Sequence, residues 1–105
     1  MNTLKEFSAR AFEINRLHNR QTVNPEDWEQ PFILPAMAAY VHSEISEAFD
    51  GFVDDNRTAF IGGITDAIIC CLSLLHGMGV DPDVTVNAKL ELLCNQGPQP
   101  RRKRL

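Results

Sequence analysis

Three acidic residues are the side chains of this sequence best suited to chemistry. Glu44 and Glu47 lie three residues apart, and Asp66 is the only formally charged residue between Thr58 and Val80. Burying an unpaired carboxylate is costly unless a cation or strong hydrogen-bond donors satisfy it. A shared divalent cation would satisfy all three, and Mg²⁺ and Mn²⁺ prefer carboxylate oxygens. The spacing therefore predicts a metal site built from these three residues.

Each acid also has a simpler interpretation. Glu-x-x-Glu pairs are common on helices, where i and i+3 side chains are neighbours, and most of them are solvated. Asp66 could instead cap a helix, or bond to Arg57 or to a backbone amide. The sequence alone leaves these alternatives open.

Apolar spacing, capping residues and breaks together predict four helices. The expected helices are Thr3–Arg20, a second beginning near Pro35, Arg57–His76, and Pro82–Asn95. The apolar stripe expected in the core of the second helix is Met37, Val41, Ile45, Ala48, Phe49 and Phe52. Glu44 and Glu47 lie about 60° apart beside that stripe, at the rim of a helix–helix interface. The third helix is apolar nearly all round, which predicts an all-α bundle with this helix at its centre.

Two features of the predicted helices have open explanations. Gly62 and Gly63 either allow close helix packing or precede the start of the third helix. The segment 21–34 is expected to be a long loop that contains Trp28. That tryptophan could stack on a nucleobase or anchor the loop to the core.

Length and charge indicate one small domain over residues 1–95 with a basic tail over residues 96–105. The chain has 105 residues and a net charge of −4. Four of its ten basic residues lie in the run 101–104, so the body has six basic residues against fourteen acidic ones. An acidic body does not suit specific nucleic-acid binding, whereas it suits a site that collects divalent cations.

The cysteines and apolar runs favour a cytoplasmic protein without a membrane segment. The three cysteines are odd in number, and Cys70 and Cys71 are adjacent in an apolar run. This pattern is typical of reduced, buried thiols. The run Ala67–Leu75 is expected to be too short to span a bilayer.

Several segments of the chain resemble a known enzyme family. They are Val41-His-Ser-Glu-Ile-Ser-Glu-Ala-Phe49, Ile64-Thr-Asp-Ala-Ile-Ile69, Gly77-Met-Gly-Val-Asp81 and Lys89. Together they are similar to the all-α NTP pyrophosphohydrolases, the MazG-like group. The resemblance implies a four-helix MazG-like bundle, which we expect to be completed by oligomerisation as a homodimer or homotetramer. It also implies four acids that bind Mg²⁺, or Mn²⁺, and hydrolysis of a nucleoside triphosphate to the monophosphate and pyrophosphate.

By that resemblance Glu44, Glu47 and Asp66 match three of the four metal ligands. Gly63 stands where the family has a second glutamate on the third helix. Glu47 is then the candidate for positioning the attacking water. If the missing ligand is the only defect, Gly63→Glu is expected to restore or raise activity. The missing ligand could also be replaced by water or by another acid, and the candidates are Asp50, Asp54 and Asp55.

The resemblance also implies substrate-binding residues. Lys89 matches a lysine that contacts phosphate, and Asn95 lies two residues beyond the position of a family asparagine. Arg101 and Arg102 resemble the basic C-terminal end of the family and could close over phosphates, and Trp28 could hold the base. Each has a simpler interpretation as a solvated residue, a solubilising tail or a loop anchor.

Three functions are therefore compatible with the sequence. The first is Mg²⁺-dependent hydrolysis of a nucleoside or deoxynucleoside triphosphate. The alternative is a nucleotide-binding protein of the same fold that has lost turnover because of Gly63. The third is a structural helical oligomer whose acids are surface groups.

Overall fold

The computed structural model describes residues 3–97, and within them the chain is helical without strands. The all-α class is therefore confirmed. Four α-helices and one 3₁₀ helix follow in order: α1 Leu4–Leu17, the 3₁₀ helix Pro25–Glu29, α2 Ile33–Val53, α3 Arg57–Gly77 and α4 Pro82–Asn95.

Polar side chains start three of the four α-helices. The Thr3 hydroxyl accepts a hydrogen bond from the Glu6 amide at 3.2 Å, and Asn56 accepts one from the Ala59 amide at 3.0 Å. Asp81 precedes Pro82 and caps α4. These bonds satisfy amides that a helix start leaves without an intrahelical partner. They explain why the expected starts of α3 and α4 are correct.

The segment 21–34 is more ordered than the expected long loop. Asn24 and Asp27 form a reciprocal capping box at the start of the 3₁₀ helix, with N···O distances of 2.8 and 3.2 Å. The second α-helix begins at Ile33, two residues before the expected Pro35. The connecting chain is consequently short on both sides of the 3₁₀ helix.

Small residues bring α2 and α3 into close contact. A Cβ added at Gly63 would lie 2.8 Å from the Ala48 Cβ and 2.9 Å from the Ala48 amide nitrogen. One added at Gly51 would lie 2.9 Å from the Phe60 amide nitrogen. We call the pairing of Gly63 with Ala48 and of Gly51 with Ala59–Phe60 the small-residue contact. This contact supports the explanation that Gly63 allows close helix packing. The alternative, that α3 starts after the two glycines, is wrong because α3 begins at Arg57.

The buried positions of the described chain are mostly small residues, and this corrects the expected core. Of the apolar stripe predicted on α2, only Ala48 is buried, whereas Ile45, Phe49 and Phe52 are exposed. On α1, Ala11 is buried while Phe7 is 41% exposed. Helical spacing identified the apolar faces, but one copy of the chain does not cover them.

Helix α4 is attached to the rest of the chain at its first turn. The Asp83 carboxylate accepts hydrogen bonds from the Leu4 and Lys5 amides at 3.1 and 3.2 Å, and Pro82 is buried. Every residue from 84 to 97 is exposed. The remainder of α4 therefore projects from the bundle.

Helix α3 is longer and more apolar than the run Ala67–Leu75 suggested. It is the one helix within residues 3–97 that is long and apolar enough to cross a membrane by length and composition, with a mean hydropathy of 1.9 over its most apolar window. Only 17% of that window is buried in this chain. A single helix of this kind is weak evidence for a membrane span, since core helices of soluble proteins meet the same criterion.

Candidate functional site

One large cavity opens between the end of α1, the segment that follows it, and the helices α2 and α3. Its volume is about 840 Å³, within the range of small-molecule sites. The residues that line it are Asn15, Arg20, Gln21, Phe32, Ile33, Ala36, Met37, Tyr40, Glu44, Glu47, Asp66, Ile69 and Cys70. We call this space the acidic cavity.

The three acids singled out by the sequence all line the acidic cavity. Glu44 and Glu47 project from α2 one turn apart, and Asp66 comes from α3. Glu44 is buried, with 8% of its surface exposed, whereas Glu47 and Asp66 are exposed. The expectation that Asp66 is a buried carboxylate is therefore wrong for this chain. The buried carboxylate of the three is Glu44.

The simpler interpretations of Asp66 do not describe its position. It lies in the middle of α3, so it is not a helix cap. The one ion pair within residues 3–97 joins Arg16 and Glu13, so Arg57 does not neutralise Asp66. The Asp66 carboxylate is available to a ligand in the cavity.

Two neighbouring groups respond to the charge of these acids. Hydrogen bonding to the Glu44 carboxylate, followed by its charge, raises the pKa of Tyr40. Burial is the first cause that raises the pKa of the Cys70 thiol, and the charges of Glu44 and Asp66 add to it. The negative charge of the acids contributes to both shifts, and the charge of Arg20 only opposes them. The cavity is therefore electrostatically suited to a cation.

The acids fit a hard divalent cation in kind, although they are not gathered into one coordination shell. Within residues 3–97, no group of three or more His, Cys, Asp and Glu side chains is arranged so that it could hold a metal ion. Mg²⁺ is usually bound by only one or two carboxylates and completed by water and substrate phosphates. Glu44 and Glu47 supply two such carboxylates on consecutive turns of one helix, and Asp66 opens onto the same space.

Position 63 has no room for a fourth acidic ligand. Because a Cβ there would meet the backbone of Ala48, a glutamate would force α2 and α3 apart. This geometry argues against the expectation that Gly63→Glu restores activity. The other candidates, Asp50, Asp54 and Asp55, are not among the residues that line the cavity.

The substrate-binding residues expected from the resemblance lie elsewhere. Lys89 and Asn95 are exposed on the projecting part of α4 and do not line the acidic cavity of their own chain. Trp28 is 74% exposed and lines a separate apolar hollow of about 410 Å³. Arg101 and Arg102 lie outside the residues that the structure describes.

Other residues of the cavity were missed by the sequence reasoning. The Asn15 amide donates to the buried Ser73 hydroxyl at 3.0 Å, which fixes its orientation in the wall. Arg20 and Gln21 lie in the segment after α1, and the aromatic rings of Phe32 and Tyr40 complete the lining. The polar sequence that ends α1 was the available signal, and it was interpreted as a helix end alone.

Comparison with models of known protein families finds no match to the chain. Comparisons with curated proteins and with solved structures find no similar protein either.

Proposed function

We propose that this protein hydrolyses a nucleoside or deoxynucleoside triphosphate to the monophosphate and pyrophosphate, using Mg²⁺ or Mn²⁺. The observation that carries the proposal is the opening of Glu44, Glu47 and Asp66 onto one cavity of about 840 Å³. The resemblance of the surrounding segments to MazG-like enzymes supports it independently of the geometry. A cytoplasmic location is proposed with it, because nucleoside triphosphates and reduced thiols are found together there.

The residues of the cavity would have different roles. Glu44, Glu47 and Asp66 would hold the cation. A cation bound there would neutralise phosphate charge and activate a water molecule. Glu47 is exposed to the cavity and is our candidate for orienting the attacking water. The Tyr40 side chain lies beside the Glu44 carboxylate, the buried member of the set.

A specific observation favours a second function, nucleotide binding without turnover. The backbone of Ala48 occupies the place that a side chain at position 63 would need, so this fold cannot gather the four acids of the resembled family. If three acids do not suffice for catalysis, the protein would bind the nucleotide and release no product.

Assembly is part of the proposal. Large apolar side chains lie exposed on all four α-helices, among them Phe7, Phe49, Phe52, Phe60 and Leu93. Monomeric soluble proteins rarely expose large contiguous apolar patches. We propose that a homodimer or homotetramer covers these faces, and that Lys89 and Asn95 reach an acidic cavity only through such an assembly.

The test is a panel of nucleoside triphosphates with Mg²⁺ or Mn²⁺, in which pyrophosphate and monophosphate are both identified. Glu47→Ala and Asp66→Ala should abolish release, whereas Asp50→Ala should retain it. Asp50 is a matched control because it is an exposed acid on α2 that does not line the cavity. Exposed substitutions of this kind change the free energy of unfolding by about 0.5 kcal/mol or less, so folding is preserved.

The other functions give different results in the same experiment. Nucleotide binding without product would favour the binding protein. A ligand present at a hundred times its dissociation constant stabilises the fold by about 2.7 kcal/mol. If neither nucleotide nor metal raises the melting temperature at millimolar concentration, the enzyme and the binding protein are both wrong and a structural oligomer remains.

A further inference from the structure

We propose that Arg20 is the residue that contacts the phosphate chain of the substrate in this cavity. The inference rests on the proposed function and deepens it. Neither the spacing of the acids nor the resemblance pointed to this residue. Three features of the structure carry it.

The first feature is position. Arg20 is the one basic residue that lines the acidic cavity within residues 3–97. The acids come from α2 and α3, whereas Arg20 follows α1, so a ligand that fills the cavity meets both signs of charge. A polyphosphate held by a metal at the acids is the ligand chemistry that uses both.

The second feature is a fixed backbone. The Arg20 amide donates to the Asn15 carbonyl at 2.8 Å, and the Asn19 amide donates to the Arg16 carbonyl at 3.2 Å. Asn19 has φ 57°, a left-handed conformation that asparagine tolerates better than most residues. Together these are the two hydrogen bonds of a Schellman motif, which sets the direction in which the chain leaves α1. The start of the Arg20 side chain is therefore held in place.

The third feature is an unpaired guanidinium. Arg20 forms no ion pair in the described part of the chain, where Arg16 and Glu13 make the one pair present. A guanidinium presents donors in a planar fork that matches two phosphate oxygens at once. An exposed arginine without a partner is free to make such bonds when a phosphate arrives.

The experiment separates phosphate contact from base recognition by using inorganic tripolyphosphate with Mg²⁺ as the probe. Binding is measured by isothermal titration calorimetry and by the rise in melting temperature. The variants are Arg20→Ala, Arg20→Lys and the matched control Arg10→Ala. Arg10 is exposed on α1 and does not line the cavity, so its loss removes the same charge without touching the site.

We expect Arg20→Ala to bind tripolyphosphate at least tenfold more weakly than the wild type. Arg20→Lys should recover part of the affinity, because it keeps the charge and loses the fork. Arg10→Ala should bind as the wild type does. In the nucleotide assay Arg20→Ala should raise KM by a similar factor, while inorganic orthophosphate should show little difference between the variants.

Three results would overturn the inference, and they differ in what they leave standing. If the wild type releases pyrophosphate from a nucleotide while Arg20→Ala retains its affinity and KM, only the role of Arg20 is wrong. If the wild type responds to neither tripolyphosphate nor any nucleotide, the proposed function and the inference both fall. A loss of affinity that Arg10→Ala matches would show a general charge effect, which also overturns the role of Arg20.

Discussion

The two adjacent glycines of α3 should respond in opposite directions to the addition of one methyl group. A Cβ at Gly63 would lie 2.8 Å from the Ala48 Cβ and 3.0 Å from the Ala48 Cα, whereas a Cβ at Gly62 has no atom within 4 Å. Backbone atoms cannot rotate away as a long side chain can. Gly63→Ala must therefore move α2 relative to α3, and Gly62→Ala need move nothing.

The magnitudes follow from two opposing terms. Replacing glycine by alanine inside a helix stabilises it by about 0.8–1.0 kcal/mol, and both variants gain this. Overpacking a close contact costs about 1–3 kcal/mol, and only Gly63→Ala incurs it. We expect Gly62→Ala to raise the free energy of unfolding by about 1 kcal/mol. The free energy of unfolding of Gly63→Ala should be about 1–3 kcal/mol lower than that of Gly62→Ala.

Urea denaturation followed by far-UV circular dichroism measures both variants against the wild type. A difference of 1 kcal/mol corresponds to roughly 4–8 °C in melting temperature for a domain of this size, so thermal scans provide a second readout. Sedimentation velocity on each variant controls for a change in assembly. If Gly63→Ala is as stable as Gly62→Ala, then α2 and α3 do not meet at position 63, and the objection to a glutamate there disappears.

Two further predictions concern α4 and the cavity thiol. Asp83→Ala removes the acceptor shared by the Leu4 and Lys5 amides, so we expect a loss of about 1 kcal/mol in the free energy of unfolding and faster hydrogen exchange at those amides. Unchanged protection by NMR would contradict the docking of α4 on α1. Burial, followed by the charge of Glu44, raises the pKa of Cys70 above its ordinary 9.0, so the folded state keeps a proton that the unfolded state releases. Its contribution to stability is present below pH 9.0 and should decline as the pH rises through the raised value. Denaturation from about pH 8 to about pH 10 should show this decline, and Cys70→Ser should reduce it; an equal slope in both proteins would contradict the assignment.

Local signals predicted the helices well because each acts through neighbouring atoms. Asp81 before Pro82 predicted the start of α4, and the polar residues before Arg57 predicted the start of α3. The 3₁₀ helix was missed because the Asn24 and Asp27 pair closes on itself without any apolar periodicity. Such a pair is visible in the sequence, but nothing there distinguishes it from a turn.

The site was predicted in part, and the limits follow from the physics of packing. The i, i+3 spacing of Glu44 and Glu47 places both on one face, so their presence in one cavity with Asp66 was within reach of the sequence. The sequence could not predict which apolar faces are buried within one chain. Periodicity identifies an apolar face, but it does not say whether that face packs against the same chain or against another copy. Arg20 was missed for a related reason, since its direction depends on how α1 ends.

The distance between the two helices that bear the carboxylates is set by residues that have no functional group. The two helices approach closely where Gly63 meets Ala48 and where Gly51 meets Phe60, because glycine has no side chain to hold them apart. One added carbon atom at either place would widen the gap between the helices that carry Glu44 and Asp66, without altering any acid. Under the proposed function, the size of metal or substrate that the cavity accepts should therefore change on substitution of residues that carry no reactive group.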